Sequence, residues 1–136
     1  MQTYGEIEMN SEKLLSRHTL KNGLVLEFWD LSRPMLGDRS QVVVEARVNV
    51  PVTADSLPAE LRPQLSRILT ALGSEVVFAK QEVRTFVATA ETPNLLKLIE
   101  EQLLASLQDY LGHPEFAARF IRKRYTDRQK ELRQYP

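Results

Sequence analysis

The sequence predicts an α+β domain: a twisted antiparallel sheet of four to five strands with about three helices packed on one face, in the order β-β-β-α-β(β)-α-α. Three observations predict it. An apolar–polar alternation runs from Gln41 to Val52. Apolar residues recur at helical spacing from Leu57 to Leu72. A second, broader apolar helical face spans Leu95 to Leu111 and stops at Gly112. Strands joined by short turns, with helices inserted between and after them, fit this class better than a parallel βαβ sheet.

Residues 1–15 read as an N-terminal arm, polar and acidic through Glu6, Glu8 and Glu12, with a short helical turn around Ser11 to Leu15; residues 16–136 read as a single domain. The domain opens with two strands around Asn22-Gly23. That dipeptide favours positive φ at both central positions of a tight hairpin, and its flanks (His18–Leu20, Leu24–Trp29) are rich in β-formers. In the next strand Val42, Val44, Ala46, Val48, Val50 and Val52 alternate with Gln41, Val43, Glu45, Arg47 and Asn49. One face is therefore apolar and the other largely polar, with Pro51 near the end of pairing.

Leu57, Leu61, Leu65, Ile68 and Leu72 draw one stripe along a helix, with Asp55 or Ser56 as cap and Gly73 as terminator. Pro63 lacks a backbone donor, so either a kink or a one-turn preface with the main helix from about Arg62 is expected. Residues 75–91 are β-like: two strands, Glu75–Lys80 and Val83–Ala90, with one long bent strand as the alternative. Thr92-Pro93 reads as cap and first position of the next helix, and Pro114 opens the last.

Composition narrows the function classes. A hydrophobic content of 43% with 26% charged residues is that of a soluble globular protein, and no apolar run reaches membrane-spanning length. The start, Met1 to Glu6, has neither a basic nor an apolar stretch, so no secretory leader is expected. The absence of cysteine excludes disulfides, thiolate metal sites and cysteine nucleophiles, and fits a cytoplasmic setting.

Charge is distributed unevenly. Arg119, Arg122, Lys123, Arg124, Arg128, Lys130 and Arg133 face only Asp127 and Glu131 in that segment, giving net +5 in a chain of net zero. On a helical wheel Arg119, Arg122, Lys123, Lys130 and Arg133 fall within an arc of roughly 100°. Ala117, Phe120, Ile121, Tyr125, Leu132 and Tyr135 fall opposite, while Arg124 and Arg128 lie inside that apolar arc. The five-cation ridge is a candidate partner-binding surface for a protein partner or self, docking on acidic surface of the chain's own arm (Glu6, Glu8, Glu12) or of a second copy. The plain alternative is a solvated face that keeps a terminal helix in water. Nucleic acid is the alternative partner, since helix–Gly112-His113–helix resembles a helix-turn-helix with a basic second helix. Against that stand the neutral chain and an apolar first helix suited to a core.

A second candidate is the loop between the second and third strands, where Trp29, Arg33 and Arg39 could hold an anionic or planar ligand. The plain alternative is a connection punctuated by Pro34 and Gly37 with local Asp30 and Asp38 hydrogen bonds. Asp30 and Ser32 resemble the Asp-x-Ser-x-x-Gly element of PilZ domains. Met35 stands where that element has glycine, and Arg17 and Lys21 stand where its Arg-x-x-x-Arg pair belongs, so the loop is not assigned to that family. His18 and His113 read as packing or capping residues. Gly-x-Ser-x-Gly, phosphate-binding glycine loops, His-Glu-x-x-His and EF-hand patterns are absent from the sequence. No catalytic residue, metal ligand or cofactor is therefore assigned. The expected role is a non-catalytic protein-interaction or self-associating domain.

Overall fold

The computed structural model describes residues 12–134. A curled antiparallel sheet is built from β1 (Lys13–Thr19), β2 (Val25–Asp30), the two-residue β3 (Arg33–Pro34), β4 (Arg39–Pro51) and β5 (Glu75–Ala88). Three helices complete it: α1 (Leu65–Leu72), α2 (Thr92–Leu111) and α3 (Phe116–Gln134). The class is the expected one, and the element order is β-β-β-β-α-β-α-α. β4 is the central strand, pairing β2 and β3 along one side and β5 along the other; among the described residues β1 and β5 form the edges.

Strand alternation places the core. Val42, Val44, Ala46, Val48 and Val50 of β4 and Leu26 and Phe28 of β2 are fully buried on one face. α2 lays Ile99, Leu103, Leu107 and Leu111 toward them, and α3 contributes Phe116, Ile121 and Tyr125. Phe78 of β5 meets Phe116 and Phe120 edge-on, at centroid distances of 5.9 Å each. Val43, on the opposite face, is buried as well, so the alternation of β4 is not strict in burial.

Several local expectations are corrected. β1 begins at Lys13, so residues 13–15 are strand and not a helical turn; residues 1–11, with the rest of the expected arm, lie outside the described residues. Between β1 and β2, Leu20 N–H donates to Leu24 C=O at 2.8 Å and closes a three-residue loop, 21–23. Gly23 N–H donates to Leu20 C=O at 2.9 Å, and Gly23 alone in the loop has positive φ (89°), so Asn22 escapes the strain of a two-residue turn. Residues 75–88 form one strand. Its irregularity is a bulge near Phe86, whose φ is 61°, and not a turn at Gln81.

A preface is present, but Pro63 sits inside it, in a 3-10 helix Ala59–Gln64, and the α-helix proper starts at Leu65 and not at about Arg62. Ser56 does not cap that helix: its hydroxyl donates to Pro51 C=O at 2.6 Å and its oxygen accepts from Thr53 N–H. Gly73 ends α1 with φ 86°. α2 starts one residue earlier than expected, with Thr92 inside it.

The hairpin tip is tied to the helices. Asn22 Nδ2 donates to the carbonyls of Leu111 (2.8 Å) and His113 (3.0 Å), while its Oδ1 accepts from Leu24 N–H (3.1 Å). This satisfies the Leu111 carbonyl at the end of α2, which the helix itself leaves without a partner, and gives His113 C=O a second donor beside Phe116 N–H.

Candidate functional site

α3 carries the expected ridge. Arg119, Arg122, Lys123, Lys130 and Arg133 are all exposed, and the helix runs unbroken to Gln134. Two of the five are engaged within the chain: Arg122 bonds Glu60, and Lys123 lies 3.3 Å from Asp127. Glu60 sits below the ordinary carboxylate range, first through a backbone amide bond and then through Arg122. Among the described residues, Arg119, Lys130 and Arg133 have no carboxylate in ion-pair range.

The two arginines of the apolar arc behave differently from the ridge. Arg124 lies 5.7 Å from the centre of the Phe120 ring and donates to Val77 C=O of β5 at 3.4 Å. Arg128 pairs with Glu131 at 3.1 Å. Arg124 thus keeps its charged end at the surface beside the Phe120 ring, whereas Arg128 is held within α3 by an exposed pair.

Beside the ridge lies a groove of about 530 Å³ between α1 and α3. Ser66, Arg67, Thr70 and Ala71 form one wall; Tyr125, Arg128, Gln129 and Leu132 form the other. The α3 wall follows the i, i+3, i+4, i+7 rule and so presents a single stripe. Tyr125 at its inner end is buried, whereas Leu132 is 53% exposed, a large apolar side chain left in water. Among the described residues the lining holds two arginines and no carboxylate. A smaller depression lined by Gln129, Leu132 and Arg133 continues from it toward the ridge.

The α3 wall was within reach of the sequence, because Tyr125 and Leu132 belong to its apolar arc. The α1 wall was not. Arg67, Thr70 and Ala71 flank the leucine stripe of a helix whose contact with α3 no local pattern reveals.

The second candidate does not assemble. Trp29 Nε1 donates to Glu27 at 3.0 Å, and the Arg47 guanidinium covers its ring at 4.8 Å. Arg33 bonds Gln41 at 3.1 Å, and Arg39 lies over Phe86 at 5.3 Å with Asp38 at 3.7 Å. Trp29 pairs with Glu45, six residues along β4 from Arg39, a separation of roughly 20 Å. Trp29 belongs instead to a polar ladder on the open sheet face. Arg17 bonds Glu27 at 2.9 Å; Arg47 bonds Glu45 and, at 3.1 Å, Glu12; Gln81 donates to Glu45 at 2.7 Å.

These contacts set the ladder's ionisation. The Arg17 hydrogen bond, helped by Trp29, holds the Glu27 carboxyl below its ordinary range against partial burial. For Glu45 burial is the largest influence and pushes upward, yet the bonds from Arg47 and Gln81 together outweigh it.

The histidines take structural places. His18 meets Phe28 edge-on at 5.7 Å and bonds Ser16, whose hydroxyl in turn donates to Glu100. Serine is the middle member of that chain, so among the described residues no carboxylate bonds the imidazole directly, as the orienting member of a triad would. His113 Nδ1 accepts from Glu115 N–H at 3.0 Å, before the start of α3.

Compared with protein-family models, with curated proteins and with solved structures, the chain matches none.

Proposed function

We propose that this chain is a non-catalytic protein-interaction domain whose α1–α3 groove receives an amphipathic helical segment of acidic character. The observation that carries the reading is the groove itself: an apolar floor between two helices, with arginines and, among the described residues, no carboxylate in its lining. Helix-in-groove recognition needs an apolar stripe on the guest and complementary charge at its flanks. Leu132 and Tyr125 would meet the stripe. Arg67, with Lys130 and Arg133 beyond Gln129, would meet the carboxylates, while Arg128 stays with Glu131.

The test is a titration of isotopically labelled protein with a helical peptide bearing leucines on one face and glutamates on both flanks. Chemical-shift changes should centre on Thr70, Ala71, Tyr125 and Leu132 and vanish in Leu132→Asp. Unperturbed spectra, or equal response to a lysine-flanked peptide, would sink the reading. Nucleic acid on the ridge gives another outcome: duplex DNA binding that weakens steeply with salt and disappears when Arg119, Lys123 and Lys130 are changed to Glu.

A further inference from the structure

Beyond the groove, β5 is a 14-residue edge strand whose sole ladder partner among the described residues is β4. We propose that β5 is a self-association edge: two copies pair antiparallel through residues 79–83 about a two-fold axis at Gln81, joining their sheets.

The orientation of the free backbone groups follows from two contacts. Arg124 reaches Val77 C=O at 3.4 Å, and Arg84 reaches Val83 C=O at 3.3 Å. Both carbonyls therefore point away from β4. Alternate residues of a strand direct their backbone groups to the same side, so Ala79 and Gln81 present theirs outward too. Arg124 bounds this open stretch at one end, and the bulge near Phe86 bounds it at the other. Its centre is Gln81.

A two-fold axis there sets Gln81 against Gln81 and Ala79 against Val83 as hydrogen-bonded pairs, about six backbone bonds in all. Val83, 43% exposed on the open face, gains an apolar cross-strand neighbour. On the opposite face Lys80 of each copy falls against Glu82 of the other, at the closer, non-hydrogen-bonded spacing. Both ion pairs form by the same symmetry. An axis at residue 80 or 82 would instead oppose Lys80 to Lys80 or Glu82 to Glu82. Arg84, which also bonds Glu82 within its own chain, releases Val83 C=O when the strands meet.

Sedimentation equilibrium over a wide concentration range tests the pairing. The parent should form a dimer. Lys80→Glu places like charges opposite each other twice and should weaken association on the order of tenfold. The exchange Lys80→Glu with Glu82→Lys restores opposite pairs and should restore the dimer. Because the chain lacks cysteine, Gln81→Cys introduces a unique thiol. Its expected spacing across the axis, Cα to Cα about 5.5 Å, suits a disulfide. Oxidation should therefore cross-link Gln81→Cys covalently and leave Val25→Cys, on the far side of the sheet, without a cross-link although still able to associate. Thermal melts establish that each variant is folded.

A parent that stays monomeric throughout overturns the proposal, as does a dimer indifferent to Lys80→Glu, or a folded exchange variant that remains monomeric. Leu132→Asp should leave the dimer intact, so failure here and failure of the groove reading remain distinct.

Discussion

Asn22 shows how one side chain can fasten a hairpin to a helix pair. It uses both donor hydrogens on α2–α3 carbonyls and its acceptor on its own loop, so the orientation of the amide is fixed by chemistry. Asn22→Ala should lower stability by roughly 2 kcal/mol, the loss of several modest hydrogen bonds. Asn22→Asp should cost at least as much despite its matching shape, because an ionised carboxylate cannot donate and would face two carbonyl oxygens. Denaturant midpoints decide this; an Asp variant as stable as the parent would show the tether to be idle. Gly112 belongs to the same junction. Its φ of −89° suits any residue, but an added Cβ would stand 2.8 Å from Gln108 O and 3.3 Å from Lys21 N. The sequence marks Gly112 as a helix stop. The close approach of the hairpin is a tertiary fact that no local pattern carries.

At the scale of elements, β4 tests whether alternation places the core. Val48 is fully buried between Leu26 and Phe78, whereas its neighbour Asn49 is exposed on the other face. Val48→Asp puts an unpaired charge among apolar side chains and should cost about 4 kcal/mol or more, a large part of a domain's stability. Asn49→Asp should stay within about 0.5 kcal/mol. Comparable melting of the two variants would disprove the facing of the strand. β4, α2 and α3 were legible because their periodicities extend over many residues and agree with their termini. β3 was not, since two residues carry no period. Lys80-Gln81-Glu82 suggested a turn because three polar residues in succession interrupt an apolar run. At a sheet edge, however, such residues reach water without ending the strand. The ridge of α3 was legible from its wheel, while the groove depends on which helix lies beside it.

For the molecule as a whole, neutrality conceals a division between the net +5 segment of α3 and an acidic remainder, and the sheet spends some of its carboxylates on internal pairing. Glu27 and Glu45 are ionised partners of Arg17 and Arg47 and are held below their ordinary value of 4.5. A carboxyl whose folded pKa is depressed releases its proton more readily in the folded state than in the unfolded chain. Its stabilisation is complete above the unfolded value and is lost as pH falls through the folded one. Acidification below about pH 4.5 should therefore lower the melting temperature progressively, as the ladder on the open face protonates. A Glu27→Gln, Glu45→Gln variant should melt below the parent near neutral pH, but decline less on acidification, so the two curves converge at low pH. Melting curves that remain parallel across this range would assign the acid sensitivity elsewhere. Arg47 makes the outcome sharper. It covers Trp29 and bonds both Glu45 and Glu12, so protonating Glu45 removes one of its two carboxylate partners and loosens its hold on the indole. A change in Trp29 fluorescence should accompany the acid transition, since this is the chain's single tryptophan.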